Sequence, residues 1–192
     1  MKIKTSPTNW ALIIMITCLL YGCNFVLGLN HYVPPEGSNL GIEFDYPRNW
    51  EWVYQPGSSR IYVFEPDKPL YTPGMNPTSS LAGLIAIDVD IGANPESLEE
   101  QIRFWLDATE AIGEEILEDK MIVIDGISSR WISSRVPERP RSNPDFELYS
   151  IVVFVYENHN LYVLTLTIPF EEREGEFASD FNKIISTLEF MP

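Results

Sequence analysis

Residues 147–168 constrain the fold more than any other stretch of the chain. A β-run at 148–156 (Leu-Tyr-Ser-Ile-Val-Val-Phe-Val-Tyr) is followed by a short break at Asn158, His159 and Asn160. A second run then covers 161–168 (Leu-Tyr-Val-Leu-Thr-Leu-Thr-Ile). The pattern reads as a β-hairpin. In the first run both alternating sets are largely apolar, with Leu148, Val152, Phe154 and Tyr156 on one side and Tyr149, Ile151, Val153 and Val155 on the other. A strand of that kind is covered on both faces, so it belongs at the centre of a sheet. The second run keeps Tyr162, Leu164, Leu166 and Ile168 on one side. Its other side mixes Leu161 and Val163 with Thr165 and Thr167, which places it nearer an edge or under thinner cover.

The rest of the chain supplies that cover. Residues 40–46 alternate with Ile42, Phe44 and Tyr46 inward and Glu43 and Asp45 outward. A second strand starts near Trp50, with Trp50, Trp52 and Tyr54 sharing a face, and Pro56-Gly57 turns it into a third at 60–65. Residues 81–91 return to strand, with Ile85, Ile87, Val89 and Ile91 on one face and Leu84, Ala86, Asp88 and Asp90 on the other. Asn94-Pro95 then opens a helix in which Ser97 and Glu100 fit a capping box and Leu98, Ile102, Trp105, Leu106 and Thr109 make one apolar stripe. Residues 116–124 and 127–136 are strands joined at Asp125-Gly126, a dipeptide suited to a two-residue turn with positive φ. A last helix at 176–187 carries Phe177, Phe181, Ile184, Ile185 and Leu188 at the same offsets as the first, and 188–190 reads as a short β-segment. The fold class is α+β: a central, mostly antiparallel sheet flanked by helices.

The N-terminus reads as an export signal. Lys2 and Lys4 precede an apolar run at 10–20, and Leu20-Tyr21-Gly22-Cys23 follows. That ending resembles the bacterial lipoprotein signal, in which the cysteine is acylated and becomes the first residue of the mature chain. Leu20, Gly22 and Cys23 match the motif, while Tyr21 is bulkier than its usual occupant. The competing reading is an uncleaved signal anchor over 10–29, whose length just crosses a hydrocarbon core of ~30 Å. Either way the domain lies outside the cytoplasm and is held to a membrane by its N-terminus, through lipidated Cys23 or the anchor. Residues 1–23 are thus the signal, 24–39, with Pro34-Pro35 and Gly37, a tether, and 40–192 the domain.

Taken together, residues 42–47 (Ile-Glu-Phe-Asp-Tyr-Pro) followed by Trp50, the helix around Trp105, the Ile124-Asp-Gly126 turn, the long hairpin and the closing run 181–190 resemble the PsbP-like family. The family is named for an extrinsic subunit of photosystem II and includes bacterial extracytoplasmic lipoproteins. The resemblance covers about 40–190 and implies an α/β/α sandwich that binds proteins or small ligands without catalysing a reaction. No residue set here identifies a photosystem partner.

The chemistry-bearing residues are sparse. Both cysteines, Cys18 and Cys23, precede the domain, which therefore has no thiol for a disulfide, a zinc site or a nucleophile. His31 and His159, the sole histidines, sit in the tether and a hairpin turn, so no Ser-His-Asp or two-histidine metal arrangement has a source. Asp88 and Asp90 share a face and can together reach one hard cation. The pattern lacks further ligands after Asp90, however, and reads first as sheet-face acids. No cofactor is implied. The net charge of −15 argues against nucleic acid as a partner. Arg130, Arg135, Arg139 and Arg141 are the one basic concentration, able to dock an acidic partner or anionic headgroups, or simply to solvate the surface. The loops at 66–80 and 137–144, rich in proline, are the other expected partner surfaces. The expectation is a non-catalytic, membrane-tethered interaction or assembly module with an unknown protein partner. The alternative is a lipoprotein holding a small apolar ligand or lipid between sheet and helix.

Overall fold

In the computed structural model, residues 28–66, 84–136 and 147–191 are described. Ten strands and two α-helices follow in the order β1 (Leu29–Tyr32), β2 (Ile42–Pro47), β3 (Glu51–Gln55), β4 (Arg60–Phe64), β5 (Leu84–Ile91), α1 (Pro95–Ala111), β6 (Glu115–Ile124), β7 (Ile127–Val136), β8 (Leu148–Glu157), β9 (Asn160–Pro169), α2 (Glu176–Thr187) and β10 (Glu189–Phe190). Seven strands form one antiparallel sheet in the order β3-β4-β5-β9-β8-β7-β6, and β1-β2-β10 form a small second sheet.

The two apolar sides of β8 go where its pattern requires. Ile151, Val153 and Val155 join the larger core with Phe177, Phe181, Ile184 and Ile185 of α2 and Ile42 and Phe44 of the small sheet. Val152 and Phe154 face the opposite way, against Ile102, Leu98, Trp105 and Leu106 of α1. Layers of α1, large sheet, and α2 with the small sheet therefore make an α/β/α sandwich. Burying one such side chain contributes about 1.5–3 kcal/mol, and β8 does this on both faces.

Of the two readings of β9, an edge position or thinner cover, the second holds: it is the middle strand, paired with β5 on one side and β8 on the other. Its thinner cover is real, since Val163, Thr165 and Thr167 are only half-buried while Tyr162, Leu164, Leu166 and Ile168 are buried. The threonines reflect the limited reach of α1 across the sheet, which sequence alternation cannot distinguish from an edge. Two local expectations shift. The helix cap is formed by Asn94, whose Oδ1 accepts the Ser97 backbone N–H at 2.9 Å, while Ser97 Oγ accepts the Asn94 N–H at 3.3 Å. Because Pro95 is already the first helical residue, Ser97 is the third position of the box and Glu100 takes no part. Ile91, expected inward, is 45% exposed at the end of β5, where the chain turns away through Gly92 at φ +79°.

The stretch read as a tether contributes structure of its own. Leu29–Tyr32 is a strand, paired residue for residue with β2, from Leu29 opposite Pro47 to Tyr32 opposite Phe44. Tyr32 is fully buried. The final β-segment exists as well, but it joins β2 in the small sheet. The Asp125-Gly126 turn has the anticipated backbone, with φ +47° and +80°.

Candidate functional site

Of the candidate site residues in the described part, Asp88, Arg130 and Arg135 are each held by an oppositely charged neighbour. Arg60 and Asp88 face each other across β4 and β5, and the Arg60 guanidinium forms a close ion pair with the Asp88 carboxylate. That hydrogen bond, seconded by one to Tyr62, holds the Arg60 pKa above its ordinary value. Asp90, one step along the same face, lies opposite Leu161 and is exposed. The structure therefore gives Asp88 a cationic partner and leaves Asp90 without a second carboxylate free to share an ion. Among the described residues no cluster of three or more His, Cys, Asp or Glu side chains is grouped to hold a metal.

The arginines divide by strand parity. On β7, Trp131 points into the larger core and Ile132 toward α1, so Arg130 and Arg135 leave opposite faces of the sheet. Arg130 grips Asp119 of β6 through two bonds of 2.7 Å, which holds the Asp119 pKa below the usual carboxylate range. Arg135 grips Glu147 at 2.5–3.0 Å, reaches Glu115 at 3.8 Å and stacks its guanidinium 4.9 Å from the Phe170 ring centre. These two residues are not brought together into one patch. Arg139, Arg141, Cys23 and the loop at 137–144 lie outside the described residues, as does all but the first position of the 66–80 loop.

One polar group was missed in the sequence because β1 was. His31, on β1, stands opposite Asp45 in register; its Nδ1 is 2.8 Å from Asp45 Oδ1 and its Nε2 3.2 Å from Glu43 Oε2. Glu43 and Asp45 were legible as outward residues of β2, but nothing in the sequence marked their cross-strand neighbour. The Asp45 hydrogen bond, ahead of the opposing effect of burial and the further Glu43 bond, raises the His31 pKa above 6.5. A raised pKa means that the folded state favours imidazolium, so this contribution is complete below pH 6.5 and is lost as pH rises through the folded-state value. With His31 half exposed, the pair is worth only about 0.5 kcal/mol. Urea midpoints measured from pH 5.5 to 8.5 are expected to fall slightly through that window, and His31→Gln is expected to remove that component of the slope. An identical slope in the variant would refute the assignment.

Aromatic pairs pack between the sheet and each helix among the described residues. Trp105 meets Phe154 edge-on at 6.4 Å between α1 and the sheet, Trp131 meets Phe181 at 5.8 Å and Trp50 meets Phe177 at 5.6 Å on the other side. A groove of about 510 Å³ lies on the outside of α1, lined by Pro95, Glu96, Glu99, Glu100 and Arg103. No helix among the described residues is long and apolar enough to cross a membrane.

This order of strands, with one helix on one face and a helix plus small sheet on the other, defines a class of non-identical proteins sharing one α+β sandwich. The chain has the PsbP-like, or Mog1-like, fold. Its fold is similar to that of cyanobacterial PsbP (CyanoP) from Synechocystis sp. PCC 6803, with a TM-score of 0.52 and 15% identity over 85% of this chain and 92% of that one. It is likewise similar to the Ran-binding protein Mog1p of Saccharomyces cerevisiae (TM-score 0.52, 13% identity, 84% and 95% covered). LpqN of Mycobacterium tuberculosis, involved in cell envelope biogenesis, matches with a TM-score of 0.52 at 12% identity over 85% and 92%. A protein from Bacteroides thetaiotaomicron matches at 0.54 and 14% identity over 86% of this chain, which spans about half (49%) of that longer one. At such identities the likeness is one of fold. No family model matches the chain, and no curated protein matches it in sequence.

Proposed function

We propose that the protein is a membrane-tethered, extracytoplasmic, non-catalytic interaction or assembly module. The observation that carries this reading is the packing of the interior among the described residues. Both layers of the sandwich are packed by the chain's own aromatic and aliphatic side chains, and Asp88, Asp119 and Glu147 are each engaged by an arginine. A domain built this way acts through its surface. The similarity in fold to a Ran-binding protein and to a protein of cell envelope biogenesis is consistent with that use. Tethering rests on Lys2, Lys4, the apolar run at 10–20 and Cys23. Two acyl chains at Cys23 would anchor the domain stably, since each buried CH₂ contributes about 0.8 kcal/mol.

The test is the mass of the N-terminal fragment from membrane-purified protein, beside a Cys23→Ser chain. The expected result is an acylated Cys23 at a new N-terminus and loss of that species in the variant. A membrane-bound product with intact Met1 and unmodified Cys23 would replace the lipid anchor with an uncleaved signal anchor. A wild-type chain found wholly in the soluble cytoplasmic fraction would sink the tethered reading.

A further inference from the structure

Large apolar side chains in this domain are mostly inside, with one concentration that is not. Strand β6 closes one edge of the large sheet, pairs only with β7 among the described residues, and exposes Ile116 (39%), Leu117 (42%), Met121 (60%) and Val123 (73%). An edge of ten residues presents a row of backbone donors and acceptors ready to pair with another strand. The β-bulge falls between Ile116 and Glu118, so the stretch from Glu118 to Ile124 keeps an unbroken register with β7. At the opposite edge β3 has five residues and runs directly into Pro56, which cannot donate to a ladder.

Charge decides what this edge can meet. A chain of net charge −15 repels its own copies over most of its surface. On β6, however, every acid has a cation beside it: Glu115 with Arg135 at 3.8 Å, Glu118 with Lys120 at 2.9 Å and Asp119 with Arg130 at 2.7 Å. Arg135 is shared with Glu147, but from Glu118 to Ile124 the two acids are each matched by a cation, which leaves a locally neutral strip with an apolar centre. We propose that β6 pairs antiparallel with β6 of a second copy about a two-fold axis through Met121, joining the two large sheets edge to edge.

The register follows from the unbroken stretch, whose middle residue is Met121. With Met121 opposite Met121, Lys120 stands opposite Ile122, Asp119 opposite Val123 and Glu118 opposite Ile124. No two like charges are opposed, which cross-strand pairing penalises. Cross-strand neighbours also stay on matching faces. Asp119, Met121 and Val123 lie on the α1 side with Ile132 and Arg130, and Glu118, Lys120 and Ile122 on the other with Trp131. The pairing covers Met121 and Val123, the most exposed apolar residues of β6. Such an interface is isologous and closes after two copies. Edge pairing of this length falls below the ~1,200 Å² of a stable standard interface, so association is concentration-dependent. The inference deepens the assembly reading above but does not depend on the anchor.

The experiment uses the full chain in detergent with Cys18→Ser and Cys23→Ser, so that an introduced thiol is the sole one. Met121→Cys on β6 is compared with Val53→Cys on β3, which is 49% exposed. Oxidation or a short bismaleimide is expected to give several-fold more cross-linked dimer from Met121→Cys than from Val53→Cys, and adding Val123→Glu, which sets a like charge opposite Asp119 of the second copy, is expected to lower it. Sedimentation of the wild-type full chain, which needs no substitution, is expected to show a monomer–dimer equilibrium that shifts with concentration. Equal yields at both edges, or a monomer at every concentration, overturns the proposal. Cross-linking from Met121→Cys in cells to a different protein, with no self-product, also overturns it and leaves the interaction-module reading standing.

Discussion

Phe181→Ala is expected to destabilise the domain by about 3–5 kcal/mol, the range for removing a large aromatic from a packed core. Phe181 is fully buried, and it reaches from α2 across to β7, where its ring lies 5.8 Å from that of Trp131. It shares its cluster with Ile151 and Val153 of β8, Leu164 and Leu166 of β9 and Ile42 of β2, so one cavity there touches both sheets and the helix that joins them. Domains of this size unfold with a urea slope near 2 kcal/mol per molar, so the midpoint is expected to fall by roughly 2 M with the slope unchanged. A fall of under a quarter of that would show that α2 does not dock as described.

Tyr32→Ala is expected to cost a similar amount, about 3–5 kcal/mol, and it tests a different point. Its sequence neighbourhood reads as a tether, where an alanine would change nothing measurable. In the structure its ring stacks on Phe44 at 4.6 Å and meets Trp52 edge-on at 5.0 Å, with the side chain fully buried. The hydroxyl is buried with no hydrogen-bond partner among the described residues, and desolvation pushes the phenol pKa well above its ordinary value. An unsatisfied buried hydroxyl costs about 1–3 kcal/mol, so Tyr32→Phe is expected to match or exceed the wild type in stability. The pair of variants separates the two contributions: ring loss destabilises, hydroxyl loss does not. Equal, near-zero effects in both would return residues 29–32 to the tether.

The legible part of the fold was the part written in local periodicity. The double-sided apolar pattern of β8, the stripe from Leu98 to Thr109 and the spacing of Phe177, Phe181, Ile184 and Ile185 each specify an element and its buried face without reference to any other. Strand β1 escaped because four residues, Leu-Asn-His-Tyr, are too few to show a period, and their partner lies beyond the Pro34-Pro35 break. The position of β9 stayed open for another reason: threonines on one side mean thin cover, and a central strand under a narrow helix looks like an edge strand.

The candidate site was less legible. Arg130, Arg135 and Asp88 were visible as charges, yet their partners Asp119, Glu147 and Arg60 were assigned by tertiary structure: strand register puts Arg60 opposite Asp88 and sets Asp119 on the same face as Arg130, two residues from the Met121 directly opposite it. The His31 bridge to Glu43 and Asp45 depends on the β1–β2 pairing in the same way. The sequence by itself determined most of the elements and which sides of β8, α1 and α2 are buried, because alternation and amphipathic spacing act over a few residues. Only the tertiary structure decided the order of the strands, the pairing of the charges and the exposure of Met121 and Val123 on a strand that pairs only with β7 among the described residues. Those depend on which strand lies beside which, and that choice is made by packing across distant parts of the chain.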